Sequence, residues 1–375
     1  MLAGTVESVF TIENRMIEKW TDLSSHLQQN EVESTAPTRL HCGGSTDHRL
    51  TGLLCRLWRP VTTNITIDLL ARVTLSPFKT GRVRVSIDKV GNEEFTAPDL
   101  PFTGPFALIA ALVCYFGVHG LAIDVATDFP FESGLGGSGA VAIALIGALF
   151  AALNRTAPTL RDYPRLVQIA HNVEDSLFRN TGMQDQAAAL YGGANRWEWQ
   201  YDDRLRFKRQ VLLADPAPLS DHILVAYAGR PHYETRSGSR LLDRFRETTS
   251  IDLLVKISEE ARKFAAAIKR GNYMAAGASL AAEHHLRSTL LPIVRKEDLD
   301  LIDMAVSENC GVSVAGSGGG GCIWAIGEKQ NIASLKDRWS GALASRRSGR
   351  LLPIKTTNQG LRVSITRELI PEVAA

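Results

Sequence analysis

The sequence has few cysteines, and their spacing excludes two common roles. Five cysteines stand in 375 residues, at positions 42, 55, 114, 310 and 322. None belongs to a close Cys or His pair of the kind that binds zinc. An odd number of widely spaced cysteines in a chain of this length also makes a disulfide framework improbable. We therefore expect a protein of the reducing cytoplasm.

The sequence also lacks a long apolar segment and an excess of one charge. Its most apolar runs, 106–118 and 140–153, are shorter than the roughly 18 to 20 residues that cross a membrane. The first 20 residues have no basic start followed by an apolar run, so we expect no secretory signal. Lys and Arg number 42 and Asp and Glu 40, a net charge of +2, which is too weak for a typical nucleic-acid binder. We expect neither a membrane nor a nucleic acid as partner.

What the sequence does have is enough apolar material for a large core, 45% of its residues. Strand and helix patterns alternate without a regular βαβ period, which favours an α+β fold. The length suggests two domains, and a polar, proline-containing stretch near 205–220 marks the boundary between 34–210 and 211–375. Residues 1–33 form an N-terminal extension with partly helical spacing. We expect it to dock on the protein, with a partner-binding or dimerising arm as the alternative, so a homodimer stays open.

Apolar periodicity predicts the individual elements of this fold. The predicted strands cover 65–70, 72–76, 82–87, 122–129, a pair between 193 and 211, 222–228, 312–316, 322–326, 351–356 and 361–366. The predicted helices cover 106–117, 138–153, 160–179, 240–269, 273–288, 297–309 and 332–344.

The most specific motif is a glycine-rich loop, residues 134–139, between a predicted strand and a predicted helix. Glycine lets the backbone turn sharply and approach a ligand closely. The first N–H groups of a helix have no intrahelical partner, and the helix dipole adds positive charge there. Such a loop can hold a phosphate, and Ser138 could cap the helix and bind Mg²⁺.

Two other interpretations of this loop stay open. Glycines at 134, 136 and 139 also fit a dinucleotide-binding fingerprint, although only Asp162 lies near the position of the required acidic residue. The loop could instead serve only close helix packing.

Four segments together resemble the GHMP kinases, which include galactokinase, homoserine, mevalonate and phosphomevalonate kinases. Residues 130–140, PFESGLGGSGA, are similar to the family's P-x-x-x-G-L-G-S-S-A motif. Residues 314–322, VAGSGGGGC, are similar to its C-terminal glycine loop, and residues 38–47, TRLHCGGSTD, to the R-x-x-x-x-G-G-G-T-D of its sugar kinases. Residues 180–193, NTGMQDQAAALYGG, resemble the G-x-x-Q-D-Q-x-A-A-x-x-G-G of heptose-phosphate kinases.

This resemblance implies a two-domain GHMP kinase fold, with an N-terminal α+β domain and a ferredoxin-like C-terminal domain. ATP and a phosphoryl acceptor would bind in the cleft between them, with Mg²⁺. The implied ATP-binding residues are Ser133, Gly134, Leu135, Gly136, Gly137, Ser138 and Gly139.

The resemblance also assigns catalytic and metal-binding roles. Asp185 matches the family's catalytic carboxylate, and Arg39 matches the arginine beside it, which would keep Asp185 ionised and stabilise the transferred group. Glu174 and Ser138 would hold Mg²⁺ against the phosphates. Asp175 competes with Glu174, because helix phase is uncertain from sequence.

The acceptor side is the least defined part of the site. The implied acceptor is a sugar or sugar phosphate, most similar to a heptose phosphate, phosphorylated at its anomeric hydroxyl. A candidate acceptor lid covers 229–236. The predicted acceptor-binding residues are Gly43, Gly44, Thr46, Asp47, Gly182, Gln184, Arg230, Gly316, Gly318 and Gly319.

The sequence departs from the family's motifs at several positions. Gly137 and Gly139 stand where serine and alanine are usual, and Glu132 where glycine is common. Ser313 and Ala315 replace a frequent lysine and a frequent Ser or Thr. A kinase for an amino acid, polyol or isoprenoid alcohol, and a nucleotide-binding pseudokinase, are the alternatives. The pair His284–His285 is not expected to chelate a metal, because adjacent helical residues do not face each other.

Overall fold

The structure is a computed structural model, and it describes residues 20–54, 57–179, 181–201, 205–231, 243 and 250–367. Ten helices are numbered along this part of the chain. They are α1 (Ser24–Leu27), α2 (Arg49–Leu54), α3 (Ala107–Phe116), α4 (Gly137–Asn154), α5 (Tyr163–Phe178), α6 (Gln184–Tyr191), α7 (Ser250–Lys269), α8 (Tyr273–Leu290), α9 (Leu299–Ser307) and α10 (Lys329–Ala344).

Fourteen strands are numbered in the same described ranges. They are β1 (Thr21–Asp22), β2 (Asn30–Cys42), β3 (Val61–Pro77), β4 (Arg82–Ile87), β5 (Gly91–Thr96), β6 (Val118–His119), β7 (Leu121–Thr127), β8 (Ala194–Tyr201), β9 (Leu205–Val211), β10 (Ile223–Tyr227), β11 (Gly311–Val314), β12 (Cys322–Ile326), β13 (Arg350–Leu351) and β14 (Arg362–Arg367). Short 3₁₀ helices cover Ala217–His222 and Lys296–Asp298.

The N-terminal half is built on a mixed sheet. Its strand order is β14-β2-β3-β7-β4-β5, and β8 pairs with β3 and β9. The strand β7 leads to the glycine loop and runs antiparallel to β3 and parallel to β4. This arrangement confirms the α+β prediction, and it differs from the parallel sheet of a dinucleotide-binding unit.

Helix α4 is the central helix of this half. Most of its side chains are buried, including Ile143, Leu145 and Ile146. By length and composition alone, Gly137–Asn154 could cross a membrane, but 67% of it is buried inside the protein. A helix that is apolar all round and enclosed by protein is typical of a core, so the helix that follows the glycine loop is held rigidly.

The C-terminal half contains a four-stranded sheet in the order β11-β12-β10-β13. Its apolar residues, among them Leu335, Val312 and Trp339, form a second core cluster. The first cluster is larger and includes Phe264 and Trp324 from the C-terminal half. The two halves therefore share packed side chains in one core.

Three features differ from the sequence interpretation. The predicted strands 65–70 and 72–76 are one strand, β3. Residues 21–33 of the predicted extension belong to the N-terminal half, since Leu23, Leu27 and Val32 lie in its core. The strand β14, predicted within the C-terminal domain, pairs with β2 of the N-terminal sheet. Pairing between strands far apart in sequence leaves no local pattern, so these features could not be read from periodicity.

Candidate active site

The two predicted catalytic side chains form an ion pair. Arg39 Nε donates to Asp185 Oδ1 at 2.8 Å, and Arg39 Nη2 lies 2.6 Å from the same oxygen. The arginine side chain is 4% exposed and the aspartate 25% exposed. The pair therefore has a buried positive end and an accessible carboxylate.

The backbone fixes where Arg39 points. It lies in β2, just after a register shift between Pro37 and Thr38 in the pairing with β3; such a shift re-aims the following side chains. The Arg39 N–H donates to the Leu135 carbonyl at 2.9 Å, and Arg39 Nη1 donates to the Gly134 carbonyl at 2.8 Å. Arg39 thus binds the glycine loop and Asp185 at once.

Asp185 lies in the first turn of α6, where the helix dipole favours a negative charge. Burial raises the pKa of its carboxyl above the usual value, the positive charge of Arg39 opposes that rise, and the negative charge of Asp47 adds to it. A carboxylate with a raised pKa is a better proton acceptor than a free aspartate.

The glycine loop passes directly beside this pair. Gly136 precedes α4 with φ 78° and ψ 30°, a left-handed conformation that suits glycine. A Cβ on Gly136 would lie 3.2 Å from Asp185 Cγ and 3.3 Å from Arg39 Cζ. Glycine therefore leaves the space between the loop backbone and both charged groups clear.

Ser138 and Glu174 meet at the beginning of α4. Glu174 is buried on the inner face of α5 and accepts hydrogen bonds from the Ser138 hydroxyl and from Gln186 Nε2. Burial raises the pKa of Glu174 to about 7, the two hydrogen bonds oppose this rise, and the charge of Asp185 adds to it. The expected cap role of Ser138 is wrong, because Gly136 occupies the cap position and the Ser138 hydroxyl contacts Glu174.

The oxygen atoms of Ser138 and Glu174 fit Mg²⁺ by their chemistry, since this ion prefers hard oxygen ligands. A buried carboxylate with a raised pKa gains most from a nearby cation. Within the described ranges there is no group of three or more His, Cys, Asp or Glu that could hold a metal. Mg²⁺ usually completes its coordination with phosphate oxygens and water, so two protein oxygens suffice. Asp175 instead accepts from the Thr181 N–H at 2.8 Å.

The third glycine segment, which is the C-terminal glycine loop at 314–322, packs against the loop at 134–136. A Cβ on Gly316 would lie 2.7 Å from the Gly134 carbonyl oxygen, and one on Gly134 would lie 2.5 Å from the Ala315 carbonyl oxygen. The Cys322 N–H donates to the Ser133 carbonyl at 2.8 Å. Two segments far apart in the sequence therefore meet at the same place.

Gly318 and Gly319, predicted to bind the acceptor, lie against the chain segment at Ile293. A Cβ on Gly318 would meet the Ile293 carbonyl oxygen at 2.3 Å, and the Gly319 N–H donates to the same oxygen at 2.8 Å. Their backbone is engaged with the loop at Ile293 in this conformation.

Thr46 and Asp47, predicted to bind acceptor hydroxyls, are instead fully buried. The Thr46 hydroxyl lies 2.7 Å from the Gly43 carbonyl oxygen and 2.8 Å from that of Val61. Asp47 Oδ2 accepts from the Gln184 N–H and Oδ1 from Gln184 Nε2, both at 3.0 Å. Asp47 thus satisfies a free N–H at the start of α6, directly before Asp185.

Gln184 and Gly182 belong to the same buried arrangement. Asn64 Nδ2 donates to Gln184 Oε1 at 2.9 Å, so both ends of the Gln184 side chain are bonded inside the protein. A Cβ on Gly182 would lie 2.0 Å from Asp47 Oδ2. Gly182 and Gln184 therefore pack on Asp47 at the start of α6, next to Asp185, and the Gln184 side chain is bonded to Asn64 and Asp47.

Gly43 and Gly44, also predicted to bind the acceptor, donate their N–H groups to Glu283 Oε1, at 3.2 and 3.0 Å.

In the predicted acceptor lid, Arg230 is exposed, and its Nη1 lies 3.7 Å from Glu297 Oε1. The remainder of the predicted lid, residues 232–236, lies outside the described residues, as does Asn180.

Two departures from the family motif have local explanations. A Cβ on Gly137 would lie 2.5 Å from Cε2 of the Phe129 ring, and one on Gly139 would lie 2.7 Å from Asp185 Cβ. The protein fills with Phe129 and with α6 the space that side chains at 137 and 139 would need. Glu132 is exposed and has φ 51°, a conformation that explains why glycine is common there.

Sequence reasoning missed the buried residues Glu283 and Arg287 of α8. Their only signal is the spacing of opposite charges four residues apart, which is typical of an exposed helical pair. The more conspicuous feature of this helix in the sequence is the adjacent pair His284 and His285. His284 Nδ1 lies 3.2 Å from Ser313 Oγ, and burial lowers its pKa to about 4, whereas His285 is exposed.

Two parts of the sequence match the domains of a known protein family. The sequence matches the GHMP kinases N terminal domain over residues 105–193 and the GHMP kinases C terminal domain over residues 264–345. The two matches lie in the order N-terminal domain, then C-terminal domain, and the first includes Ser138, Glu174 and Asp185. The chain therefore contains a GHMP kinase N-terminal domain and a GHMP kinase C-terminal domain over these residues.

Individual relatives are more distant. A bifunctional fucokinase/GDP-fucose pyrophosphorylase of Arabidopsis thaliana is 25% identical over 263 residues, covering 64% of this chain and 24% of that protein. The chain therefore spans about a quarter of the length of this relative.

Solved structures share the fold. A D-glycero-D-manno-heptose 1-phosphate kinase from Bacteriodes thetaiotaomicron superposes with a TM-score of 0.67 at 20% identity, covering 89% of this chain and 98% of that one. Lactococcus lactis galactokinase complexed with galactose gives 0.68 at 15% identity, covering 95% and 99%.

Proposed function

We propose that this protein is an ATP- and Mg²⁺-dependent kinase that transfers the γ-phosphoryl group of ATP to a hydroxyl of a sugar or sugar phosphate. The observation that carries the proposal is the position of the Arg39–Asp185 pair beside Gly136, at the N-terminus of α4. A phosphate at a helix N-terminus and a carboxylate next to it are the two groups that phosphoryl transfer to an alcohol needs.

The chain's own residues suit this reaction. The acceptor hydroxyl would donate a hydrogen bond to Asp185, attack the γ-phosphorus and pass its proton to that carboxylate. The new P–O bond forms as the bond from the γ-phosphorus to the bridging oxygen of ADP breaks, and ADP leaves. Arg39 is always charged, so it would stabilise negative charge on the transferred group while it holds Asp185 in place.

Mg²⁺ would be held by Glu174 and Ser138. When bound, it neutralises charge on the β- and γ-phosphates. The N–H groups at the start of α4 and the backbone of residues 133–137 would bind the phosphates. The long apolar helix behind them is buried and rigid, which keeps these donors preorganised.

The acceptor we favour is a heptose phosphate phosphorylated at the anomeric hydroxyl. The sequence Gly182–Gly193 supports this choice, because it resembles the heptose-phosphate kinases in the segment that carries Asp185. The fold similarity to a heptose 1-phosphate kinase is consistent with it. The fucokinase relative makes a deoxyhexose such as fucose the next acceptor to test.

The test is turnover by the purified protein with ATP and Mg²⁺ against a panel of acceptors. The panel contains heptose 7-phosphate, octose and hexose phosphates, fucose and galactose, with homoserine and mevalonate as non-sugar alcohols. ADP release with a phosphorylated sugar as product is expected. Turnover of only the non-sugar alcohols would refute the sugar proposal, and calorimetric ATP binding without any transfer would indicate a nucleotide-binding protein that is not a kinase.

A further inference from the structure

A buried ion pair lies between the first glycine segment, residues 43–44, and the third glycine segment, residues 314–322. Glu283 and Arg287 lie one turn apart on α8, with Arg287 Nε 3.1 Å from Glu283 Oε1. Their side chains are 0% and 1% exposed. Neither residue belongs to any of the four motifs that define the family resemblance.

Arg287 holds the third glycine segment. Its Nη2 donates to Ser313 Oγ at 2.8 Å and to the Val314 carbonyl at 3.0 Å, and its Nη1 donates to the Gly316 carbonyl. The planar fork of arginine suits three acceptors on one short segment, whereas a lysine ammonium does not match this geometry.

Glu283 holds the first glycine segment. Its Oε1 accepts from the N–H groups of Gly43 and Gly44. A Cβ on Gly44 would lie 3.0 Å from Arg287 Cδ, so this segment packs directly on the arginine as well. One carboxylate oxygen therefore accepts from two backbone donors and lies 3.1 Å from the guanidinium Nε in an ion pair.

A line of contacts runs from this pair to the catalytic groups. Gly316, which Arg287 holds, packs against Gly134. The Gly134 carbonyl accepts from Arg39, and Arg39 holds Asp185. The first segment is also the continuation of β2, since Gly43 follows Cys42. The first and third glycine segments, which the ion pair links, are thus both connected through Arg39 to Asp185.

A buried ion pair is weak evidence for stability, because the cost of removing two charges from water offsets most of their attraction. Its hydrogen bonds nonetheless define positions sharply. We propose that Glu283 and Arg287 are positioning residues that fix the spacing between the first and third glycine segments, and with it the geometry of phosphoryl transfer. This inference rests on the proposed kinase function.

The decisive variant is the neutral double substitution Glu283→Gln with Arg287→Met. The glutamine amide keeps an acceptor for Gly43 and Gly44, and no charge is left buried and unpaired, so folding should survive. The matched control is Glu308→Gln with Arg338→Met, which removes a 2.7 Å ion pair between the end of α9 and α10. The single variant Arg287→Lys keeps the charge and removes the fork.

We expect the double variant to keep a Tm within a few degrees of wild type, with kcat at least tenfold lower and KM raised for both ATP and the sugar acceptor. The kcat and KM values of Arg287→Lys should lie between those of the double variant and wild type. The control pair should have the kinetic constants of wild type. A purely structural role would lower Tm and leave kcat and both KM values of the folded protein unchanged. Kinetic constants within twofold of wild type in the folded double variant would overturn the proposal.

A measurement without ligand separates this inference from the proposed function. Hydrogen exchange should become faster in peptides covering 313–321 of the double variant and stay unchanged in β10. Unchanged exchange at 313–321 would overturn the inference whatever the acceptor is. If the wild type turns over no acceptor, the sugar-kinase proposal fails, and the affinity for AMP-PNP with Mg²⁺ replaces kinetics: a tenfold loss supports the inference, and equal affinity or no binding by the wild type overturns it.

Discussion

Two pairs of glycines near the proposed site contact different kinds of atoms. Gly136, which precedes α4, and Gly139, in the first turn of α4, lie against the side chains of Arg39 and Asp185. In the third segment, Gly316 and Gly318 lie against the backbone of Gly134 and Ile293. Similar sequence signatures thus serve two purposes. Gly136 and Gly139 make room for the proposed reacting groups, and Gly316 and Gly318 make room for another chain segment, so substitutions should affect activity in the first pair and stability in the second.

The largest effect is expected at Asp185, on the reactive side of this comparison. Asp185→Asn keeps the shape and removes the charge that, in the proposed mechanism, accepts the hydroxyl proton. We expect kcat to fall by about 10²- to 10⁴-fold, while the ATP-analogue affinity stays within about threefold, because the carboxylate acts on the acceptor and does not itself bind phosphate. Steady-state kinetics and calorimetry measure the two quantities. Unchanged turnover would remove Asp185 from the mechanism.

Gly318→Ala tests the packing side of the comparison. Gly318 has φ 80°, and its new Cβ would lie 2.3 Å from the Ile293 carbonyl oxygen. Left-handed strain and overpacking together should lower the free energy of unfolding by about 2–4 kcal/mol, measured by urea denaturation.

The matched control for Gly318 is Gly271→Ala. Gly271 has φ 66°, and a Cβ there would meet no described atom within 4 Å. It isolates the conformational strain, which costs about 1–2 kcal/mol. Equal losses at 318 and 271 would contradict the close packing of the third segment.

Glu174 provides a pH test of the reactive side. Its pKa of about 7 lies above the ordinary value of 4.5, so the folded protein binds more protons than the unfolded chain between these values. Metal-free stability should therefore fall as pH rises from about 4.5 to 7, by about 3 kcal/mol for this group.

Glu174→Gln should remove most of this slope. The variant should be more stable than wild type at pH 8 without metal, and Mg²⁺ with AMP-PNP should stabilise it less than wild type. Thermal unfolding at about pH 5 and about pH 8, on either side of the pKa, measures both effects. A wild type without this slope would show that Glu174 titrates normally.

Gly139→Ala should separate activity from stability. The new Cβ would lie 2.7 Å from Asp185 Cβ and 3.1 Å from the Gln186 N atom, so α6 must shift. Alanine favours a helix by about 1 kcal/mol over glycine, which offsets part of the strain. We expect a small change in stability and a loss of kcat of about tenfold or more, because small displacements of a reacting group are costly.

Gly341→Ala, in α10, is the control for Gly139. Its Cβ would meet no atom of the described residues within 4 Å, so the variant should gain up to about 1 kcal/mol in stability and keep full activity. A Gly139→Ala variant as active as this control would contradict the close approach of Asp185.

Most of the fold could be predicted from sequence, because long apolar helices carry their own pattern. The helix predicted at 138–153 is α4, and the strand predicted at 222–228 is β10. The strand β2, which carries Arg39, was missed. It contains Pro37 and several polar residues that the neighbouring strands bury, so its sequence alone does not alternate.

For part of the site, residues that the motifs single out do lie together in the structure. Arg39, Gly136 and Asp185 lie together, and Ser138 contacts Glu174. Thr46 and Asp47 belong to an equally good motif match, yet both are buried and bonded to other parts of the protein. A motif specifies residue types and spacing, whereas the use of a polar side chain depends on partners that are distant in the sequence.

The central claim is that the N-terminus of α4 binds a triphosphate with Asp185 beside its terminal phosphate. A crystal structure of the protein with AMP-PNP and Mg²⁺ tests it most directly. We predict β- and γ-phosphates on the backbone of residues 134–138, Mg²⁺ on Glu174 and Ser138, and the γ-phosphate next to the Asp185 carboxylate. A nucleotide bound on another surface, or a γ-phosphate pointing away from Asp185, would contradict the account.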